Sequence, residues 1–408
     1  MIDENEIVRG ITDENAAELA AQWLADHADL LTYPADQFAG RGIVTCAGGR
    51  KYTVPAYVLV RSLRHVGCTL PIELWYRGPG EYMPGFGRIM EPLGVTWIDA
   101  YQVREKHPHA RLNGFELKPF AVQWSRFSEV LFLDADNFAC VDPTFLLDDP
   151  RYTESGTIFW PDYHRIVPGD SLWRVYGVPY RETYRPETGQ IVVDKRRSWR
   201  GLVLADYASQ RSKFYFRHGY GDLGTFQFGW LRMGCQYAMV PHKIKTLWHS
   251  GRHRTMCQHD FDGRRIFQHH NTAKWSLGSW EDVPGFQGLD LVRGWLDELR
   301  AVVDQTTGDV MDAAQIGELQ KHAGRYRYQR MNADGSAVRD ERPIELLDGG
   351  RIGDGAARCE ASWQIRGGRL VLIDQAGVVT AELDPATDGW AGRWLRFERM
   401  ACRLTKQI

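Results

Sequence analysis

Short apolar runs alternate with amphipathic stretches along the first two thirds of the chain. Helical spacing is clear at 53–67, where apolar side chains recur every three or four positions until Gly67. The short runs are apolar on both faces, which is typical of strands in a largely parallel sheet covered by helices. The predicted strands are 41–49, 71–78, 94–100, 130–133, 156–163, 189–195, 235–241 and 265–270, and the predicted helices are 13–31, 53–67 and 118–127.

The pattern changes near residue 281. A helix is predicted at 288–305, residues 306–340 are polar and loop-like, and short strands alternate with glycine and aspartate turns from Pro343 onwards. We therefore expect an α/β fold with a mostly parallel sheet, followed by a small all-β module. The predicted parts are a helical extension at 1–39, the α/β domain at 40–280, a helix and polar linker at 281–340, and the β module at 341–408.

Two aspartates, Asp134 and Asp136, follow the apolar run at 130–133. Ligands of parallel α/β sheets bind at the carboxyl ends of the strands. Two carboxylates placed there repel each other unless a cation lies between them. A divalent ion held by so few side chains keeps positions open for phosphate oxygens. The pattern therefore favours a metal-bound phosphorylated substrate over a solvated strand end.

A second Asp-x-Asp pair, Asp260 and Asp262, is followed by Gly263. Aspartate before glycine is a strong turn signal, so we interpret this pair as part of a turn. The stretch "TCAGGRKY" at 45–52 follows the first strand and has small residues that let a base or ribose approach the backbone. It lacks the spacing of a Rossmann fingerprint, and an ordinary strand-to-helix turn is the alternative.

Two other charged residues are candidates for donor contacts. Lys118 stands just ahead of Pro119 at a predicted helix start, where its cation would meet a phosphate; the alternative is a surface lysine. Asp222 lies in the glycine-rich stretch "HGYGDLG", where its carboxylate would meet the hydroxyls of a sugar; the alternative is a helix N-cap.

A strand at 265–270 ends in His269 and His270, and Lys274 follows. An imidazole together with two carboxylates suits manganese better than calcium. The lysine would neutralise the charge of a departing diphosphate. The alternative is a pair of surface histidines on a polar loop.

Composition narrows the function classes. The 408 residues are 43% hydrophobic and 25% charged with a formal net charge of −2, which argues against nucleic acid as a partner. No apolar stretch is long enough for a transmembrane segment, and the acidic N-terminus is unlike a secretory signal. Seven scattered cysteines without a Cys-x-x-Cys pair indicate reduced thiols, so we expect a cytoplasmic protein. The fifteen tryptophans fill the core or line a pocket for a sugar ring.

The order of these motifs resembles a known family. "GIVTCAGG", "FSEVLFLDADN", "ETGQIVVDK", "GYGDLGTFQFGW" and "HHNTAK" occur as in retaining glycosyltransferases of the GT-A fold. The nearest likeness is to the fungal-type α-mannosyltransferases that use GDP-mannose, with a more distant likeness to the glycogenin and α-galactosyltransferase group. The resemblance covers about residues 40–276, and it implies a Rossmann-like nucleotide-sugar domain.

The resemblance also implies roles for individual residues. Asp134, Asp136 and His269 would hold Mn²⁺ or Mg²⁺, with His270 as the second choice for the third ligand. Gln190 would lie beneath the reacting sugar carbon, and Asp222 would grip the donor sugar, so that the catalytic set is Gln190, Asp222 and Lys274. The expected donor-binding set is Thr45, Ala47, Gly48, Lys51, Lys118, Asp134, Ala135 and Asn271.

The implied activity is transfer of mannose from GDP-mannose, or of a hexose from a UDP-sugar, to a hydroxyl of a glycan or other acceptor. A metal-dependent nucleotidyltransferase or pyrophosphatase would also need paired aspartates and a lysine. A non-catalytic carbohydrate-binding protein would use tryptophans as platforms and a structural cation. A glycosidase needs two carboxylates on either side of the scissile bond, which the sequence does not place.

Overall fold

The computed structural model describes residues 3, 5–219, 221–277, 281–304, 310–374, 378–396 and 400–407. The chain divides into two compact units. The first contains Met1–Met83, Gly87–Ser276 and Trp280–Leu289, and the second contains Pro84–Phe86, Leu277–Ser279 and Asp290–Ile408.

Strands and helices alternate up to residue 233, and strands follow to residue 269. The strands are β1 (Arg41–Cys46), β2 (Ile72–Tyr76), β3 (Val95–Asp99), β4 (Glu129–Leu133), β5 (Asn137–Ala139), β6 (Thr157–Arg165), β7 (Tyr184–Asp194), β8 (Ala238–Met239), β9 (Lys245–His249), β10 (Arg252–His259) and β11 (Arg265–His269). The helices are α1 (Ala16–Asp26), α2 (Gly49–His65), α3 (Pro84–Met90), α4 (Ala100–Lys106), α5 (Leu117–Trp124), α6 (Pro150–Ser155), α7 (Ser171–Val175), α8 (Lys195–Gln210), α9 (Ser212–Tyr215) and α10 (Thr225–Met233).

A seven-stranded sheet with the order β3-β2-β1-β4-β7-β6-β8 forms the centre of the first unit. Strands β1 to β4 are parallel to one another, whereas β7 runs antiparallel to both β4 and β6. The predicted α/β fold with a mostly parallel sheet is therefore confirmed. The antiparallel pairing sets Gln190 opposite Leu133, so the predicted catalytic amide lies beside the end of β4.

Burial explains why the strands of this sheet are apolar. Val44, Phe132 and Ile191 are fully buried in one hydrophobic cluster that also contains Trp230 of α10. Burying each such side chain contributes about 1.5–3 kcal/mol to folding. A polar residue within the buried run Val130–Leu133 of β4 would therefore be costly, and Asp134 and Asp136 follow where that run ends.

A smaller sheet with the order β5-β11-β10-β9 lies in the same unit. Strand β5 follows the Asp-x-Asp turn, and it pairs antiparallel with β11 so that Asn137 lies opposite His269. This pairing joins residues that are more than a hundred positions apart in the sequence. It brings the end of β11 to the end of β4.

The second unit contains one antiparallel sheet with the order β13-β12-β18-β17-β16-β15-β14. Its elements are α11 (Leu289–Val302), α12 (Ala313–His322), β12 (Gly324–Met331), β13 (Val338–Leu346), β14 (Ser362–Arg366), β15 (Arg369–Ile373), β16 (Val379–Ala386), β17 (Gly389–Trp394) and β18 (Ala401–Lys406). The predicted all-β character at the C-terminus is confirmed.

One expectation about this unit is wrong. Residues 306–340 are not loop-like throughout, because α12 and β12 lie there. In β12, Tyr326 and Tyr328 are buried while arginines alternate with them, and these arginines hid a period-two pattern. Of the two roles expected for the tryptophans, Trp363, Trp390 and Trp394 of the module have the core role, because all three are buried in the hydrophobic cluster of the sheet.

All seven cysteines lie in the described part of the chain, and each is a free thiol. This agrees with the predicted absence of a disulfide framework. Among the described helices, none combines the length and the apolar character that a membrane span requires.

Candidate active site

Backbone contacts with β7 hold the two aspartates that follow β4. The backbone N–H of Asp134 donates to the carbonyl oxygen of Gly189 over 2.7 Å. The side-chain amide of Asn137 donates to the same oxygen, also over 2.7 Å. The backbone N–H of Asn137 donates to the carbonyl oxygen of Asp134 over 3.0 Å, which closes a turn around Ala135 and Asp136. The sequence after β4 thus folds back on itself where ligands of such sheets bind.

His269 completes a cluster with these aspartates. Its Nε2 atom lies 3.1 Å from Oδ1 of Asp136 and 3.8 Å from Oδ2 of Asp134. One ligand atom from each of the three residues lies within 4.8 Å of the other two. Two carboxylate oxygens and an imidazole nitrogen are ligands that Mn²⁺ accepts, so these side chains fit a divalent cation.

Burial and the charges of neighbouring residues shift the pKa values of the cluster in opposite directions. Burial opposes ionisation of Asp136, but His269 and an ion pair with Lys274 outweigh burial and hold the pKa of Asp136 well below its usual range. Burial alone would lower the pKa of His269, yet Asp136 and Glu187 raise it well above its usual value. Burial is the main reason why the pKa of Asp134 is raised. A divalent cation would take the place of the imidazole proton here.

Glu187 lies behind the cluster as a second layer. Its Oε1 atom lies 3.2 Å from Nδ1 of His269 and accepts the backbone N–H of Gly189 over 2.8 Å. Its Oε2 atom accepts the side-chain amides of Gln190 over 2.6 Å and of Gln258 over 3.3 Å. Gly189 permits this approach, because a Cβ atom there would lie 2.5 Å from Nδ1 of His269. Gln190 is thereby fixed with a buried carbonyl oxygen that has no hydrogen-bond partner among the described residues.

Lys118 is buried between two of the predicted site residues. Its Nζ atom lies 3.2 Å from a carboxylate oxygen of Asp134 and 3.0 Å from Oδ2 of Asp222, and it donates to the carbonyl oxygen of Thr188 over 3.0 Å. Burial opposes its charge, but the two carboxylates raise the pKa of Lys118 above its usual value. Asp222 is not an N-cap, because Gly224 holds that position in α10. The structure thus joins both residues to the metal-ligand cluster.

The residues predicted to meet the nucleoside lie at the end of β1, the strand beside β4. The hydroxyl oxygen of Thr45 is buried and has no hydrogen-bond partner among the described residues, and Ala47 is also buried. Gly48 packs so tightly that an added Cβ atom would lie 2.3 Å from the Glu81 carboxylate. Lys51 is exposed on the first turn of α2. Their roles in binding a donor remain predictions.

The two residues that follow His269 in the sequence differ in their surroundings. His270 lies outside the cluster: its Nδ1 atom is 2.7 Å from the Thr255 hydroxyl, and its ring stacks on Trp275 at 4.1 Å. Asn271 donates to the sulfur of Met256 over 3.1 Å, and its buried side-chain oxygen has no hydrogen-bond partner among the described residues. Of the two histidines, His269 lies in the cluster with the aspartates, and His270 does not.

The second Asp-x-Asp pair forms a turn, as predicted. Asp260 accepts the backbone N–H of Asp262 over 3.1 Å and that of Arg264 over 2.8 Å. The same carboxylate also receives the Arg264 guanidinium over 3.0 Å. Its oxygens thus close the turn, and Asp262 is exposed.

Comparison with known proteins bears on this site. A family described as "Mannosyltransferase putative" matches residues 40–171, which include β1, β4 and the two aspartates. The alpha-1,2-mannosyltransferase MNN5 of Saccharomyces cerevisiae is 33% identical over 144 residues, which cover 34% of this chain and 24% of that protein. MNN2 of Candida albicans is 23% identical over 150 residues, covering 36% of this chain and 25% of that protein. The resemblance to fungal α-mannosyltransferases is therefore confirmed.

The chain spans about a quarter of the length of these curated relatives. Among solved structures, mouse xyloside xylosyltransferase 1 is similar with a TM-score of 0.35 and 12% identity, over 49% of this chain and 84% of that chain. The galactosyltransferase LgtC, in complex with donor and acceptor sugar analogs, has a TM-score of 0.34 and 14% identity, over 48% and 73%. Scores this low support no further conclusion about the chain.

Proposed function

We propose that this chain is a metal-dependent, retaining glycosyltransferase that moves mannose from GDP-mannose to a hydroxyl of a glycan. One observation carries the proposal: the cluster of Asp134, Asp136 and His269 at the end of β4, with Lys274 on its rim. The mannosyltransferase names of the curated relatives support the donor sugar. A hexose from a UDP-sugar is the other donor that the site chemistry would accept.

The first requirement of such a transfer is charge balance on the leaving diphosphate. Mn²⁺ or Mg²⁺ held by Asp134, Asp136 and His269 would supply positive charge to the diphosphate oxygens when bound. Lys274, whose side chain is 29% exposed, would share its ammonium with the same oxygens as they gain charge. Lys118 does not contact the diphosphate in this scheme. Its ion pairs hold the carboxylates of Asp134 and Asp222 in position.

The second requirement is stabilisation of the sugar carbon. The bond between that carbon and the phosphate oxygen breaks, and the acceptor oxygen bonds to the carbon on the same face. The carbonyl oxygen of Gln190 is available to stabilise positive charge there, because its amide group is held by Glu187. Both carboxylate oxygens of Glu187 already accept hydrogen bonds, so Glu187 is not free to act as a base. In this scheme an oxygen of the leaving phosphate therefore takes the proton of the acceptor hydroxyl.

A nucleotide-sugar panel tests the proposal. We expect GDP-mannose to be turned over with release of GDP only when Mn²⁺ or Mg²⁺ is present. Release of nucleoside monophosphate or inorganic pyrophosphate would identify a nucleotidyltransferase or pyrophosphatase instead. Binding of glycans without consumption of any nucleotide sugar would identify a carbohydrate-binding protein.

A matched pair of variants connects the activity to the site. Asp136→Asn removes one charge from the cluster, whereas Asp262→Asn makes the same change in an exposed turn. We expect the first variant to lose turnover by about a hundredfold or more, by analogy with other electrostatic contacts in active sites. The second variant should keep full activity. Undiminished transfer by Asp136→Asn in the presence of chelator would overturn the proposal.

A further inference from the structure

An exposed aromatic patch lies on the first unit, on β6 and on the β9–β10 hairpin, which belongs to the same sheet as β11 with His269. We define the aromatic patch as Tyr163, Trp248 and His253. The side chains of Trp248 and Tyr163 are 59% and 40% exposed. The His253 ring lies between them, with centroids 5.8 Å from Tyr163 and 6.3 Å from Trp248. A cluster of large rings facing water marks a binding surface more often than a single exposed ring does.

The backbone fixes this patch. Trp248 of β9 and His253 of β10 are directly opposite in register, so their side chains stand on the same face. Ser250 and Gly251 both have positive φ, 50° and 70°, as a tight hairpin turn between these strands requires. The register shifts just after His253, and a bulge of this kind re-aims side chains near active sites.

Polar groups lie at the edge of the rings. The Tyr163 hydroxyl is 2.8 Å from the hydroxyl of Thr246 and 3.4 Å from Nε2 of His253. The patch therefore combines a flat apolar face with hydroxyl and imidazole groups that both donate and accept hydrogen bonds. A pyranose ring has the matching chemistry, since it presents C–H groups on one face and hydroxyls at its edge.

Strand β10 connects the patch to the cluster. The backbone carbonyl of His253 accepts the hydroxyl of Thr272 over 2.7 Å, and Thr272 stands three residues after His269 of the cluster. Three residues further along β10, Met256 pairs with His269. At about 3.3 Å per residue, His253 lies roughly 10 Å along β10 from the residue that pairs with His269. This distance is comparable to the length of a short oligosaccharide.

We propose that the aromatic patch is a saccharide-binding subsite for the acceptor, so that the acceptor of this chain is itself a glycan. The assignment of the aromatic patch to the acceptor rests on the proposed function. A nucleobase also stacks on aromatic rings, but the residues expected to meet the donor nucleoside lie at the end of β1, which β4 and β7 separate from β6 in the seven-stranded sheet. The patch belongs to β6 of the seven-stranded sheet and to the β9–β10 hairpin of the smaller sheet.

The test measures binding of α-1,2-linked mannobiose by calorimetry and by saturation-transfer NMR. We expect millimolar-range binding by the wild-type chain and an affinity about tenfold lower in Trp248→Ala, which a loss of about 1.4 kcal/mol would produce. Tyr163→Phe, which removes only the hydroxyl, should lower the affinity less. Tyr180→Ala is the matched control, because Tyr180 is 46% exposed but lies outside the patch.

A separate titration with GDP and Mn²⁺ distinguishes this proposal from the proposed function. Trp248→Ala should bind GDP as the wild type does. No mannobiose binding by the wild type, equal mannobiose binding by Trp248→Ala, or a GDP affinity that falls in this variant would overturn the subsite. Failure of the wild type to bind GDP, with mannobiose binding still dependent on Trp248, would contradict the transferase and leave saccharide binding at the patch intact.

Discussion

The Oε1 atom of Glu187 lies 3.2 Å from Nδ1 of His269, while Nε2 of the same imidazole faces Asp136 at 3.1 Å. The imidazole ring thus lies between Asp136, which would bind the same cation, and Glu187, which would not. Metal-binding histidines are commonly oriented in this way by an acidic partner. Because the other oxygen of Glu187 receives the Gln190 amide, one side chain positions both a candidate metal ligand and the candidate catalytic amide.

Replacing Glu187 should weaken metal binding without removing a ligand. We expect Glu187→Gln to lower the affinity for Mn²⁺ by about tenfold to a hundredfold, as loss of such outer partners does elsewhere. Titration of the free protein with Mn²⁺, followed by electron paramagnetic resonance, measures this directly. Asp262→Asn is the control. An unchanged Mn²⁺ affinity in Glu187→Gln would limit Glu187 to a packing role.

Lys274 offers a separate test of charge balance on the leaving group. The lysine pairs with Asp136, and its ammonium lies 5.6 Å from the ring centre of Tyr52 on α2. If it stabilises the diphosphate mainly as charge develops, Lys274→Met should lower kcat by about a hundredfold while changing donor affinity much less.

Steady-state kinetics and direct donor titration separate these quantities for Lys274→Met. Lys106→Met, on the exposed part of α4, provides the control. A change confined to the KM for the acceptor would assign Lys274 to acceptor binding instead.

Most residues of the cluster could be predicted from the sequence. The apolar run of β4 predicted a buried strand, and the carboxylates directly after it indicated a ligand site at its end. The same argument applied to β11 indicated His269 and His270, and the family resemblance placed His269 first. The two strand ends meet because β5 pairs with β11, and that long-range contact has no local signal in the sequence.

The partners of buried charges could not be predicted in the same way. Lys118 stands ahead of Pro119 as a surface lysine would, yet its Nζ atom lies between Asp134 and Asp222, the latter more than a hundred positions away. Glu187 stands three positions before Gln190, and nothing in the local sequence indicates a supporting role for it. Its role as a support depends on hydrogen bonds to both of its oxygens, which only the folded chain brings together.

Acid stability should report the state of His270. Burial lowers the pKa of His270 to about 3, whereas an unfolded chain has a value of about 6.5. Between these values the unfolded state binds a proton that the folded state does not, so the folded state loses stability as pH falls from about 6.5. We expect His270 to account for about 2 kcal/mol of the stability lost between pH 7 and pH 5.

Urea unfolding of the wild type and of His270→Gln at both pH values checks this expectation. The variant keeps a polar group for the Thr255 hydroxyl but removes the titrating imidazole. Its loss of stability between pH 7 and pH 5 should be smaller than that of the wild type. An equal loss in the two proteins would show that His270 is already protonated in the folded state or that other groups dominate.

The stereochemistry of transfer is the sharpest test of the mechanism. An inverting enzyme needs a free carboxylate across the sugar from the leaving group. The nearest candidate, Glu187, accepts hydrogen bonds on both oxygens, and His269 together with other contacts holds its pKa below the usual range against the effect of burial. Asp222 is engaged by Lys118. Gln190 is left facing the site with an amide oxygen, which does not act as a base near neutral pH.

We therefore expect the product of an α-linked nucleotide sugar to be α-linked. NMR of the anomeric proton during early turnover identifies the linkage before any later equilibration. Gln190→Ala should slow transfer by about tenfold to a hundredfold but leave the linkage unchanged, since it removes stabilisation of the sugar carbon only. A β-linked product whose formation requires Glu187 and not Gln190 would show that Glu187 is a catalytic base, and it would overturn the retaining mechanism.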